Sequence, residues 1–173
     1  TIADVKVQNL DILHTWVGDL VATLTSPLGT VINLFDRPGV PASSFGCSGD
    51  NIAVNFDDAA ILTSTDFENT CGNLPAISGT YRPISALSGF NGENMSGTWT
   101  LTISDLASGD GGSLEGWGLE ICAEPCATPC VITCPPNLTF NNTAGTCGAV
   151  VNFNVTSSGD CGTVTATPAS GSV

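Results

Sequence analysis

Basic residues are nearly missing. Lys6, Arg37 and Arg82 stand against 16 acidic residues, for a formal charge of -13. Such a surface repels phosphate, which argues against nucleic-acid binding. Histidine occurs once, at His14. A Ser-His-Asp triad would have to use it, and no Gly-x-Ser-x-Gly elbow is present. His14 lies two places from Ile12 and from Trp16 on one face of an expected strand, where a packed or hydrogen-bonded imidazole is the default. The few Glu residues are scattered, so nothing pairs two of them for glycoside hydrolysis. No apolar run is long enough for a membrane span. A charged and apolar leader is also missing, so the sequence reads as a piece of a larger secreted chain.

Helical periodicity is nearly absent too. Short runs rich in Val, Ile, Leu and Thr recur instead, separated by Gly, Pro, Asn, Asp and Ser clusters. Strands are expected at residues 3–7, 11–16, 20–25, 31–35, 52–55, 97–103 and 116–121. In the third of these, Leu20, Ala22 and Leu24 would share the core face. Ser26-Pro-Leu-Gly29 is a turn signal after it. The fold class is all-β, a two-sheet β-sandwich of jelly-roll type, with a short second β-rich segment at the C-terminus.

Eight cysteines fit an oxidising compartment. Cys122, Cys126, Cys130 and Cys134 fall at steps of four, without the tight knuckles and histidines that structural zinc uses, so disulfides are the stronger reading. Cys47 and Cys71 stand near the ends of a loop-rich segment. A bridge between them would close about 25 residues and stabilise by about 3 kcal/mol. Two Pro and repeated Cys mark a linker at 126–133, dividing a domain at 1–125 from a segment at 134–173.

Six landmarks occur in order: Gly18-Asp-Leu20, then Leu24-Thr-Ser-Pro-Leu-Gly-Thr30, Phe56-Asp-Asp58, Leu87-Ser-Gly-Phe-Asn-Gly92, Gly97-Thr-Trp-Thr-Leu101, and Asp105 followed by Gly-Asp-Gly-Gly-Ser-Leu and Trp117-Gly-Leu119. Together they resemble the P domain (Homo B domain) of kexin-like and furin-like subtilisin serine peptidases, over roughly residues 3–122. The resemblance implies a sandwich without catalytic residues. Its partner would be the subtilisin-like catalytic domain of the parent protein, which it stabilises or regulates, with a protein substrate as a further partner. It also implies a secreted, monomeric accessory domain. Two features depart from the family: the usual lead-in to the first strand is missing, and Cys47 and Cys71 are not general to it. A rival reading is an extracellular substrate-binding or adhesion module for protein fibre or polysaccharide. Trp16, Trp99 and Trp117 could stack on sugars, but Trp99 and Trp117 sit at positions the family uses for core packing.

Residues 134–173 resemble the first half of a hyalin-type repeat, a small Ig-like module, with Cys147 and Cys161 as the expected pair. Half a sandwich cannot bury a core well, so this segment should be poorly ordered, packed on the first domain, or completed by another chain.

Acidic side chains gather in loops: Asp50 with Asp57 and Asp58, and Asp105 with Asp110. Calcium takes six to eight oxygens, and Gly-rich loops can turn carbonyls inward to supply some of them. Structural Ca2+ is therefore expected at Asp50, Asp57, Asp58, Asp105 and Asp110, a role microbial P domains also suggest. Asp19 is expected to accept backbone amides at a strand start.

Overall fold

The computed structural model describes all residues except 41, 125–129, 143, 146, 160 and 173. Half of the expected linker, residues 126–129 with Cys126, lies outside the described residues. The chain divides into two compact units, Thr1–Glu124 and Pro125–Val173.

The first unit packs two sheets face to face. Strand β1 (Ile2–His14) is central in one of them. It buries Val5 and Val7, then Leu10, Ile12 and His14, so the inward phase slips between Val7 and Leu10. Asn9 absorbs the slip in a left-handed conformation, φ 52°, while its N–H donates to Asn55 Oδ1 at 2.8 Å. That bulge turns two expected strands into one continuous strand. β2 (Leu20–Thr25) buries Leu20, Ala22 and Leu24 as expected, and pairs with β3 (Val31–Asp36) across the Ser26–Gly29 turn.

β4 (Ile52–Phe56) runs antiparallel to β1. Beyond it comes an unexpected helix, α1 (Ser64–Glu68), closed by a Thr63/Asp66 capping box. An unexpected strand follows, β5 (Ile77–Tyr81), parallel to β4. β6 (Thr100–Asp105) pairs with β2, and β7 (Gly112–Ala123) pairs with β1. The sheet orders are β5-β4-β1-β7 and β3-β2-β6.

The core is aromatic on one side. Phe67 of α1 stacks on Phe35 at 5.0 Å, tilts against Phe56 at 5.5 Å and meets Tyr81 edge-on at 5.2 Å. Trp99 and Trp117 are partly buried and pack against the core. Cys47 and Cys71 form the expected disulfide, Cα atoms 5.5 Å apart. The loop carrying Cys47 lies flat on the 3-10 turn Val17–Asp19. A Cβ on Gly18 would sit 2.4 Å from the Cys47 nitrogen, so only glycine fits there.

Among its described residues the second unit holds one strand pair, β8 (Val131–Thr133) with β9 (Thr156–Ser158). Cys161 joins Cys130 rather than the expected Cys147, which is a free, exposed thiol. The reason is register: Cys130 directly precedes β8 and Cys161 follows β9, so antiparallel pairing brings their Cα atoms to 4.7 Å.

Candidate metal-binding site

Four chain segments meet at one end of the sandwich. β1 ends at His14 and β7 begins beside it at Gly112, its cross-strand partner. β6 ends at Asp105, opposite Leu20 at the start of β2. The loop between β6 and β7 therefore crosses from one sheet to the other and carries Asp110. Glycine is required where it lands, because a Cβ on Gly112 would stand 1.8 Å from the Leu13 carbonyl oxygen.

His14 is fixed from several directions. Asn51, itself left-handed at φ 67°, accepts the His14 N–H through Oδ1 at 2.9 Å and donates its own N–H to the His14 carbonyl at 2.9 Å. The ring Nδ1 faces the Trp16 carbonyl oxygen at 3.0 Å and the Trp16 N–H at 3.1 Å. Nε2 faces Asp105 Oδ2 at 3.3 Å. The imidazole is 3% exposed, so the core reading of His14 holds for its burial, while its second nitrogen points into the acidic cluster.

Ligand atoms of His14, Asp105 and Asp110 lie within 4.8 Å of one another. Asp105 Oδ1 also accepts the Ala107 N–H at 3.2 Å. Asp110 is partly buried, and its Oδ1 is sealed from solvent with no hydrogen-bond partner among the described residues. Asp19 stands behind them. Burial and the charges of Asp110 and Asp105 push its carboxyl up, against the opposing pull of Arg37 and His14. Its side chain was expected to accept backbone amides. Instead it faces the Arg37 guanidinium at 3.7 Å, and the backbone carbonyl is the group that bonds an amide, from Leu106 at 2.9 Å. A cleft of about 530 Å3 opens beside the cluster, between Leu101 and Ile103 of β6 and Leu114 of β7.

The other three expected ligands do not converge. Asp50 precedes β4 and Asp57 and Asp58 follow it, so the five-residue strand keeps them apart. Asp57 takes the Ala59 N–H at 2.8 Å and the Lys6 ammonium at 3.2 Å, which together hold its carboxyl below the usual range. Asp58 accepts the Leu87 and Ser88 N–H groups, both at 2.8 Å, at the start of the 3-10 turn Leu87–Phe90. The grouping spanned the strand expected at 52–55, and that strand, which forms, is what separates Asp50 from Asp57 and Asp58. His14 and Asp19 were seen in the sequence but given other roles, because only the two-sheet topology shows that strand ends far apart in the chain meet.

Residues 2–121 match the family model of the proprotein convertase P-domain, which covers more than half of the chain and nearly all of the first unit. The chain belongs to the proprotein convertase P-domain family. No curated protein and no solved structure matches it. P domains are non-catalytic accessory domains that accompany the subtilisin-like catalytic domain of convertases. They are typical of secretory-pathway proteins, and two disulfides fit an extracellular fold. Among the described residues no helix is long and apolar enough to cross a membrane.

Proposed function

We propose that this P domain serves a secreted subtilisin/kexin-like serine peptidase as a non-catalytic partner that stabilises the protease domain. The observation that carries this reading is the coincidence of the family match with the one unit that has a core of its own. The docking edge we favour is the one beside β5, where Ile61 is 92% exposed, with Leu62 and Ile84 also exposed. Leu62 is bridged to Tyr81 and its carbonyl accepts the Arg82 N–H, so Ile61 and Leu62 lie along the β5 edge, while Ile84 donates its N–H to Leu34 of β3 in the other sheet. Covering them would recover roughly 25 cal/mol per Å2 of apolar area.

Co-expression tests this. A kexin-type catalytic domain stripped of its own P domain should co-purify with residues 1–124 and survive heating longer, and Ile61→Asp should weaken both effects. Failure to co-purify, together with retention on collagen, chitin or cellulose, would move the assignment to a substrate-binding module.

A structural cation, expected from the sequence to be calcium, is supported at the Asp105–Asp110 loop, where two carboxylates converge and one sealed oxygen has no partner among the described residues. An ion at one hundred times its dissociation constant would add about 2.7 kcal/mol. Asp57 and Asp58 are already committed to Lys6 and to backbone amides, so the proposal does not extend to them. For residues 134–173 we keep the hyalin-type reading on the sequence resemblance; β9 of this segment pairs with β8 and Cys161 with Cys130, both just ahead of it.

A further inference from the structure

We infer that the ion this P domain is built to hold is a divalent transition metal of the zinc class, bound by His14 Nε2 and one carboxylate oxygen each from Asp105 and Asp110. The inference rests on the reading that this loop holds a cation, and it changes the ion from calcium.

The donor set decides the class. Calcium is a hard cation that takes oxygen ligands, whereas imidazole suits zinc, copper, iron and nickel. Here the nitrogen sits inside the cluster, with its ligand atoms and those of the two carboxylates within 4.8 Å of one another. Donors around a tetrahedral zinc stand about 3.4 Å apart for bonds near 2.1 Å. The difference is small enough for the Asp110 side chain to close, since Gly109 and Gly111 on either side have open space around them.

The imidazole is also set up as a ligand. A metal on Nε2 needs the proton on Nδ1; the Trp16 carbonyl oxygen stands 3.0 Å from Nδ1 to accept it, and the Trp16 N–H, which faces the same nitrogen at 3.1 Å, gives up its acceptor when the metal binds. A ligating histidine commonly donates its other N–H to a carbonyl or carboxylate, which fixes tautomer and ring angle. His14 cannot swing away, because its side chain is 3% exposed and its backbone is clasped by Asn51 on both sides.

Independent of the donor set, the cluster has unmet demands. Asp110 Oδ1 is sealed and partnerless among the described residues. Asp19 has a side chain only 9% exposed, and the guanidinium facing it is 3.7 Å away, beyond hydrogen-bond reach. The carboxylates of Asp19, Asp105 and Asp110 thus share one end of the sandwich with the Arg37 guanidinium, and a dication at the His14/Asp105/Asp110 centre gives Asp110 Oδ1 a partner and offsets the remaining negative charge. With three protein ligands, a tetrahedral ion keeps its fourth position for water.

The test uses the full chain, stripped with EDTA and with its free thiols alkylated so that Cys122, Cys134 and Cys147 cannot compete. Zn2+ and Ca2+ are compared by calorimetry and thermal unfolding, and Co2+ serves as a visible probe. One equivalent of Zn2+ should bind and raise Tm, Ca2+ at the same concentration should not, and Co2+ should give the absorption of a low-coordinate nitrogen and oxygen site. Asp110→Asn, on a loop where folding is safe, should weaken Zn2+ at least tenfold. His14→Gln should remove the Co2+ absorption. Ca2+ raising Tm while Zn2+ does nothing overturns this inference and leaves the calcium reading standing. If neither ion acts, both fall. Zn2+ binding that ignores Asp110→Asn places the ion elsewhere and also overturns it.

Discussion

The two units use the same β-forming residues and reach opposite outcomes. In the first, Phe35, Phe56, Phe67 and Phe90 are at most 1% exposed, enclosed between two sheets. In the second, Val131, Ile132, Phe140 and Val150 are each at least 50% exposed, because the three-residue strand pair has no second sheet to face among the described residues. β-propensity selects extended backbone in both; only a facing layer turns it into a core. The disulfides differ accordingly. Cys47–Cys71 ties down a loop on a core that already exists, whereas Cys130–Cys161 clamps the only paired strands described in its unit.

The strongest way to break this contrast is to remove one aromatic from each unit. Phe67→Ala should cost 3–5 kcal/mol, in the range of about 3–5 typical for a buried Phe, because Phe35, Phe56 and Tyr81 all lose their common neighbour. Phe140→Ala, at 50% exposure, should stay within about 0.5 kcal/mol. Urea unfolding reads both, and equal losses would mean the second unit has a core after all.

Next come the staples. Replacing Cys47 and Cys71 together by Ala should lower the stability of the first unit by about 3 kcal/mol while leaving it folded. Reducing Cys130–Cys161 should leave the β8 amides exchanging at unprotected rates. Protection that survives reduction would show the β8–β9 pair stands without its clamp. A smaller effect separates capping from metal binding at Asp58. Asp58→Ala removes acceptors for two amides and should cost about 1–2 kcal/mol, with the response to added metal unchanged. A lost metal response would return Asp58 to the ligand set.

What could be read in advance follows the same physics. β2 and the Cys47–Cys71 bridge were legible because each rests on a local pattern or a short separation. β5 was not, since Ser78 and Gly79 look like a turn, with Gly79 at φ 126°, and a parallel neighbour leaves no hairpin signal. α1 spans five residues, too few for a helical period, and buries only Phe67. In the candidate site, Asp105 and Asp110 were found from their shared loop. His14 joined them only through the crossing of β1, β2, β6 and β7, which residue spacing cannot express.

The smallest effect sharpens the comparison through a group that only a packed unit can create. Glu68, the last residue of α1, is pushed up to about 7 by burial, despite the hydrogen bond its Oε1 accepts from the Asp36 N–H at 3.3 Å. Its Oε2 is sealed without a partner among the described residues. Between the ordinary glutamate value and about 7, the folded protein therefore holds a proton that the unfolded chain releases. Stability from Glu68 is complete below that window and declines as pH rises through it. Asp57, Asp66 and Glu93 act the other way. Their carboxyls are held low, by the Ala59 amide, by the Thr63 amide, and by the Ser26 and Thr30 hydroxyls respectively. What they contribute is present above the usual carboxylate range and is lost as pH falls through their lowered values. The first unit should thus be most stable in mild acid. Glu68→Gln should flatten the upper slope, raising Tm at pH 8 and leaving it unchanged near pH 4.5. A wild-type Tm that is level between those two values would mean Glu68 ionises freely, and the packing around α1 would be looser than its buried Phe67 implies.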